Sequence, residues 1–101
     1  MQIGAEKYLD LDEPFVFVNH SCSPNVGLID NGVWVAIRNI NRNEEICCDY
    51  GTFETSPGWN MECACNSNNC RKIITFKDYK NPKLRKTLGK WYAPYLKKEL
   101  I

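Results

Sequence analysis

The sequence predicts a mainly β chain with short helices at its C-terminus. Short runs rich in Val, Ile and aromatic residues, broken by turn residues, recur between positions 15 and 48, a pattern typical of strands. Residues 81–100 instead combine helix-start signals with helical apolar spacing. The length of 101 residues, with 44% hydrophobic and 25% charged residues, fits one small domain near the lower size limit for folding on its own core.

The predicted strands begin with residues 15–18, which lead directly into Asn19. Residues 26–29 and 33–39 flank the sequence Asp30-Asn31-Gly32, a strong turn signal between two β-rich runs. We therefore expect a hairpin there. Polar and Pro-Gly stretches separate the remaining predicted elements, which are strands at 44–48 and 73–76 and a loop at 52–60.

The C-terminal region carries the signals of two short helices. Asn81 is a favourable N-cap, Pro82 suits the first helical position, and the helical pattern runs through Leu88 to stop at Gly89. A second helix is predicted from Pro94. Its apolar side would carry Tyr95, Leu96 and Leu100, and Trp91 and Tyr92 are expected to anchor both helices to the body.

Charge is distributed unevenly along the chain, although the net charge is only +1. Residues 1–70 contain ten acidic and three basic residues, whereas residues 71–101 contain ten basic residues against Asp78 and Glu99. An acidic body favours a basic, lysine-containing protein or peptide as partner. The basic tail is interpreted as a solvated helical face, and no apolar run is long enough to cross a membrane.

The cysteines carry the most specific chemical signal. Cys63, Cys65 and Cys70 form a C-x-C-x4-C cluster in a polar, turn-rich stretch, and three thiolates at such spacings are typical of a zinc site, which needs a fourth ligand. A disulfide framework is the alternative for six cysteines in a short chain. Against it, Cys47 and Cys48 lie in a predicted buried strand, and no signal peptide follows Met1.

Three blocks in a fixed order resemble a known family. These are Asn-His-Ser-Cys-Ser-Pro-Asn at 19–25, Glu-Glu-Ile-Cys-Cys-Asp-Tyr-Gly at 44–51, and the cysteine cluster. Together they resemble the C-terminal half of a SET-domain protein-lysine methyltransferase with its post-SET zinc module. The resemblance implies a SET-type β-clip fold and methyl transfer from S-adenosylmethionine to a lysine ε-amine. It divides the chain into the C-terminal part of the SET domain (1–55), the zinc module (56–76) and a helical tail (77–101).

The resemblance also assigns roles to individual residues. It implies that Tyr50 supplies the hydroxyl that orients the lysine amine, and that Cys22 is the fourth zinc ligand. It implies cofactor contacts by Asn19 and His20 and by the backbone at Ala64. Without the resemblance, His20 alone would be interpreted as a structural or surface histidine, and Tyr50 as a buried tyrosine at a strand end.

Two departures from the family pattern affect the expectations. Cys48 stands where the family usually has an aromatic residue, and this smaller side chain predicts di- or trimethylation. The N-terminal strands and glycine-rich turn of the family are missing, so the domain is expected to be truncated at its N-terminus and to have unpaired strand edges. Such edges favour homo-oligomers.

Two other functions are compatible with the sequence. A zinc-stapled binding or scaffold module without catalysis would keep the fold, and the missing glycine-rich turn supports it. A nucleic-acid-binding zinc module would use the basic tail, but the cysteine spacing lacks the paired knuckles of zinc ribbons. Free thiols predict an intracellular, reducing compartment, either the cytoplasm or, in a eukaryote, the nucleus.

Overall fold

The computed structural model of the chain describes residues 1–4, 7–8 and 18–98. Within these residues eight short strands form four two-stranded pairs, three antiparallel and one parallel. The strands are β1 (Gln2–Gly4), β2 (Lys7–Tyr8), β3 (Asn19–His20), β4 (Val26–Asp30), β5 (Val33–Ala36), β6 (Cys47–Cys48), β7 (Asn60–Glu62) and β8 (Ile73–Thr75). The prediction of a mainly β chain with short C-terminal helices is confirmed.

The predicted hairpin is formed by β4 and β5. Asn31 and Gly32 make the turn, and Gly32 has a φ of 71°, a conformation that glycine adopts without steric cost. Strand β5 ends at Ala36 rather than at Asn39, because the chain bends away from β4 after the pair Val26–Ala36. The strand predicted at 15–18 lies largely outside the described residues, which resume at Val18.

The parallel pair β3–β6 joins two segments that are distant in sequence. Asn19 is paired with Cys47 and His20 with Cys48. Buried Asn25 supports this pair, since its side chain accepts the Cys47 N–H at 2.9 Å and donates to the Glu45 carbonyl at 2.8 Å. The strand predicted at 44–48 is thus reduced to its last two residues, and the Asn-His block lies beside them.

A second hairpin, β7–β8, encloses the cysteine cluster. The register pairs Asn60 with Thr75 and Glu62 with Ile73, so residues 63–72 are the connecting loop. The Cys63 N–H donates to the Lys72 carbonyl at 2.7 Å and closes the base of this loop. The sequence predicted β8 but not β7, which has only three residues and follows a loop signal.

The helices are α1 (Pro82–Leu88) and α2 (Pro94–Lys97). As predicted, Asn81 caps α1, its side chain accepting the Lys83 N–H at 2.9 Å. Gly89 does not reverse the chain, because its φ of −55° is helical and a 3₁₀ turn follows over Gly89–Trp91. Leu100 lies outside the described residues.

Two adjoining apolar clusters form the core of the described residues. One contains Val26, Leu28, Cys48, Phe53 and Ala93, and the other contains Leu84, Leu88, Tyr92 and Leu96. Tyr92 is fully buried, and its hydroxyl donates to the Tyr79 carbonyl at 2.8 Å, so the predicted anchor packs the helices onto the body. Across residues 1–4, 7–8 and 18–98, every helix is too short to cross a membrane.

Candidate functional site

Four cysteines converge at the loop of the β7–β8 hairpin. Cys63, Cys65 and Cys70 come from the loop itself, and Cys22 arrives from the segment after β3. The four sulfur atoms all lie within 4.8 Å of one another, and those of Cys22 and Cys63 are 3.9 Å apart. In a tetrahedral site with Zn–S bonds of about 2.3 Å, the sulfurs are separated by about 3.8 Å. The donor set and its spacing therefore fit zinc.

The same sulfur atoms do not form disulfides. All six cysteines of the chain are free, and 3.9 Å between Cys22 and Cys63 is far longer than an S–S bond of about 2.0 Å. Burial raises the pKa of the Cys22 thiol to about 12, although the hydrogen bond from the Arg71 N–H acts to lower it. A divalent cation reverses this preference, because a coordinating thiol loses its proton.

Tyr50 lies one residue beyond β6, at the start of a 3₁₀ turn over Tyr50–Thr52. Its hydroxyl donates to the Val18 carbonyl at 2.7 Å, which places the oxygen beside the residue that precedes Asn19. Burial, with a smaller effect from Cys48, raises the pKa of Tyr50 above its ordinary value. The phenol therefore keeps its proton at neutral pH and acts as a hydrogen-bond donor.

His20 connects Tyr50 to the cysteine cluster. Its Nδ1 accepts the Tyr50 N–H at 2.9 Å, and its Nε2 lies 3.5 Å from the Cys22 sulfur. The side chain is 1% exposed, and burial lowers the pKa of His20 in spite of the nearby Asp49 carboxylate. Because both ring nitrogens are engaged inside the protein and the side chain is buried, His20 has its backbone left for a ligand.

A cleft of about 470 Å³ brings the predicted residues together. Its volume is within the range of small-molecule sites. Its walls carry two carboxylates, Glu45 and Glu62, and Asn19 donates its side-chain amide to Glu45 at 3.0 Å. The site residues predicted from the sequence that line it are Asn19, His20, Tyr50, Cys63, Ala64 and Cys65.

A second cleft, of about 640 Å³, lies against α1. Leu84 and Leu88 line it together with Cys22 and Cys70, whereas neither Tyr50 nor Asn19 does. The two clefts therefore share the cysteine cluster as a wall. Because the smaller cleft contains Tyr50, it is the candidate site.

Two residues that pack behind the site have a role that the sequence did not reveal. Asp49 is fully buried, and Arg71 binds both of its carboxylate oxygens at 2.8 Å. Arg71 follows Cys70 directly, so its position next to a predicted ligand was the available signal. Cys48, expected to widen the site, packs in the core at 2% exposure, and its neighbour Cys47 lines the cleft.

Part of the chain matches a known domain family. Residues 3–51 match the family model of the SET domain. The matched segment is just under half of the chain, and over that part the chain is similar to a SET domain. The matched SET segment contains Asn19, His20, Cys22 and Tyr50, whereas the hairpin with the other three cysteines lies beyond it.

Curated relatives of the chain carry methyltransferase names. The chain is 37% identical over 67 positions to the "probable histone-lysine N-methyltransferase set-23" of Caenorhabditis elegans, covering 57% of this chain and 27% of that protein. It is 37% identical over 65 positions to the "histone-lysine N-methyltransferase ash1" of Drosophila melanogaster, covering 57% and 3%. The chain thus spans about a quarter or less of the length of these relatives. No solved structure gave a significant match.

Proposed function

We propose that this chain forms the C-terminal half of the SET domain of a protein-lysine methyltransferase, together with its post-SET zinc module, and that the domain transfers methyl groups from S-adenosylmethionine to a lysine ε-amine. The observation that carries the proposal is the position of the Tyr50 hydroxyl, 2.7 Å from the Val18 carbonyl, in the cleft that Asn19, His20 and Ala64 also line. The two curated relatives named above, both histone-lysine N-methyltransferases, support the same reaction.

Electrostatics of the cleft favour cationic ligands. Both the sulfonium of the methyl donor and a lysine side chain carry positive charge, and Glu45 and Glu62 line the cleft. A carboxylate near a bound cation lowers the free energy of the complex and raises the association rate. We therefore assign the acidic wall to the attraction of a basic lysine-containing protein or peptide.

Tyr50 is assigned the catalytic hydroxyl. S-adenosylmethionine supplies a methyl group on a positively charged sulfur, and a C–N bond to the lysine forms as the C–S bond breaks. The protein must hold the amine neutral, dry and aimed at the methyl carbon. A protonated Tyr50 and the Val18 carbonyl, held 2.7 Å apart, supply a fixed dipole beside the reacting atoms.

Asn19, His20 and Ala64 are assigned to cofactor binding. In this arrangement the backbone of β3 and of the loop at Ala64 offers amides and carbonyls to the polar edges of the cofactor. His20 contributes through its backbone and its fixed position, since Tyr50 and Cys22 occupy its ring nitrogens.

Zinc is assigned a structural role. Cys22, Cys63, Cys65 and Cys70 would hold one ion, and four protein ligands complete a tetrahedral site without an open position for substrate. The metal would tie residues 56–76, the proposed post-SET module, to residues 1–55, with residues 77–101 as a helical tail. A thiolate site of this kind requires a reducing, intracellular compartment.

The test is methyl transfer followed by mass spectrometry. Zinc-loaded chain, S-adenosylmethionine and core histones or basic lysine peptides should yield methylated acceptor, and Tyr50→Phe should lower the rate about a hundredfold or more. Tyr79→Phe is the matched control, since Tyr79 does not line the cleft. A chain that binds zinc but neither binds the donor nor methylates any acceptor would be a scaffold module instead.

A further inference from the structure

Arg71 contacts the cysteine cluster and the Tyr50 turn at the same time. Its backbone N–H donates to the Cys22 sulfur at 3.3 Å. Its guanidinium donates to both carboxylate oxygens of Asp49 at 2.8 Å, and its Nε donates to Asp78 at 3.1 Å. One residue therefore connects the proposed metal ligands to the residue that precedes Tyr50.

Asp49 in turn fixes the start of the 3₁₀ turn over Tyr50–Thr52. Its side chain accepts the Gly51 N–H at 2.8 Å, and its backbone carbonyl accepts the Thr52 hydroxyl at 2.7 Å. The packing around Gly51 excludes a larger residue, because an added Cβ would lie 2.9 Å from the Leu84 side chain and 3.1 Å from the Asp49 carboxylate.

The Asp49 carboxylate depends on Arg71 for its charge balance. Asp49 is 0% exposed and Arg71 17%, and a buried carboxylate without a cation is strongly destabilised. His20 lies 3.7 Å away, but its Nδ1 accepts the Tyr50 N–H and so carries no proton. The planar arginine fork makes two parallel bonds that a lysine cannot reproduce.

We propose that Arg71 is a positioning residue that couples the four-cysteine cluster to the placement of Tyr50 through Asp49. The effect of Arg71 on catalysis rests on the proposed function, whereas the coupling between the cysteine cluster and the Tyr50 turn can be tested without it. Loss of the metal would free the backbone at Arg71, weaken the Asp49 pair and loosen the turn that carries the Tyr50 hydroxyl.

The test is amide hydrogen exchange measured by NMR on the full chain, with and without zinc. In zinc-loaded Arg71→Met, which should still bind one zinc per chain, the Gly51 amide should exchange at least about tenfold faster, because a charge-assisted hydrogen bond contributes at least that factor. Arg71→Lys should give an intermediate rate. Lys72→Met, a change at the neighbouring exposed residue, should leave it unchanged.

Amides of β4 serve as an internal control for opening of the whole chain. The Gly51 effect must exceed theirs, since a merely structural role would speed all of them together. Chelation of zinc should speed Gly51 exchange in the unsubstituted chain and add little in Arg71→Met. Equal Gly51 rates in Arg71→Met and the unsubstituted chain, or equal effects of chelation in both, would overturn the proposal.

Kinetics then connect the inference to the reaction. Arg71→Met should lower kcat about tenfold while the KM for S-adenosylmethionine stays within about twofold. If Arg71→Met does not fold, Arg71→Lys provides the same two comparisons, and an Arg71→Lys variant with unaltered Gly51 exchange would contradict the proposal. If the unsubstituted chain transfers no methyl group, the proposed function fails. The exchange rates of Gly51 still show whether Arg71 couples the cysteine cluster to the Tyr50 turn.

Discussion

Removing zinc should lower the thermal unfolding midpoint of the chain by about 15 °C or more. The metal would crosslink Cys22 and Cys63, which are 41 positions apart. Treating this crosslink as a loop closure gives about 13 cal/mol/K of entropy removed from the unfolded chain, or about 4 kcal/mol at 25 °C. A domain of this size shifts its midpoint by about 4–8 °C per kcal/mol.

The assay is circular dichroism during heating, for zinc-loaded chain, chelated chain and two cysteine variants. Cys22→Ser should lose nearly as much stability as chelation, because the three remaining ligands all belong to one hairpin loop. Cys65→Ser should lose less, since the long crosslink to Cys22 remains. Cys47→Ser is the matched control, because Cys47 lies outside the cluster.

Either of two results would contradict a stabilising long-range crosslink. A change in the midpoint of less than about 5 °C on chelation would mean that no long-range crosslink contributes to folding. Equal losses in Cys22→Ser and Cys65→Ser would show that the span of the crosslink does not determine the stabilisation.

Other predictions follow from buried groups. Asn25→Ala should cost about 3 kcal/mol in urea unfolding, because it orphans the buried partners at Cys47 and Glu45; a loss under about 1 kcal/mol would contradict this. Gly27→Ala should cost about 1–3 kcal/mol, since its Cβ would lie 2.7 Å from the Trp91 Cβ, and an unchanged midpoint would count against it. Burial raises the pKa of Cys48 from 9.0 to about 12, so the neutral thiol stabilises the fold fully below pH 9 and this contribution is lost as pH rises towards 12. The stability advantage of the unsubstituted chain over Cys48→Ala should accordingly shrink between pH 9 and 11 in heating scans, and a constant difference would exclude the thiol as the cause.

Local signals in the sequence predicted the elements that depend on local chemistry. The Asn31-Gly32 turn, the Asn81 cap and the Pro82 start determine backbone conformation within a few residues, and each appears where expected. The bounds of the strands were less predictable, because β6 and β7 depend on partners distant in sequence.

The resemblance of three motifs to a known family predicted the site residues. The contacts among these residues could not be predicted, because they depend on tertiary structure. Nothing in the local sequence around Asp49 indicates that its counterion follows the last cysteine, since the two residues are 22 positions apart. The prediction that His20 contacts the cofactor falls to its backbone, because its ring nitrogens face Tyr50 and Cys22. Such contacts arise from the parallel pairing of β3 and β6, which no local pattern encodes.

Calorimetric titration with S-adenosylmethionine tests the central claim most directly, namely that the four-cysteine cluster and the Asn19-His20 strand end form one cofactor site with Tyr50. The zinc-loaded chain should release heat on binding one equivalent, and Asn19→Ala or prior chelation of zinc should weaken the affinity about tenfold or more. No heat from the zinc-loaded chain, or unchanged affinity after zinc is removed, would contradict the account.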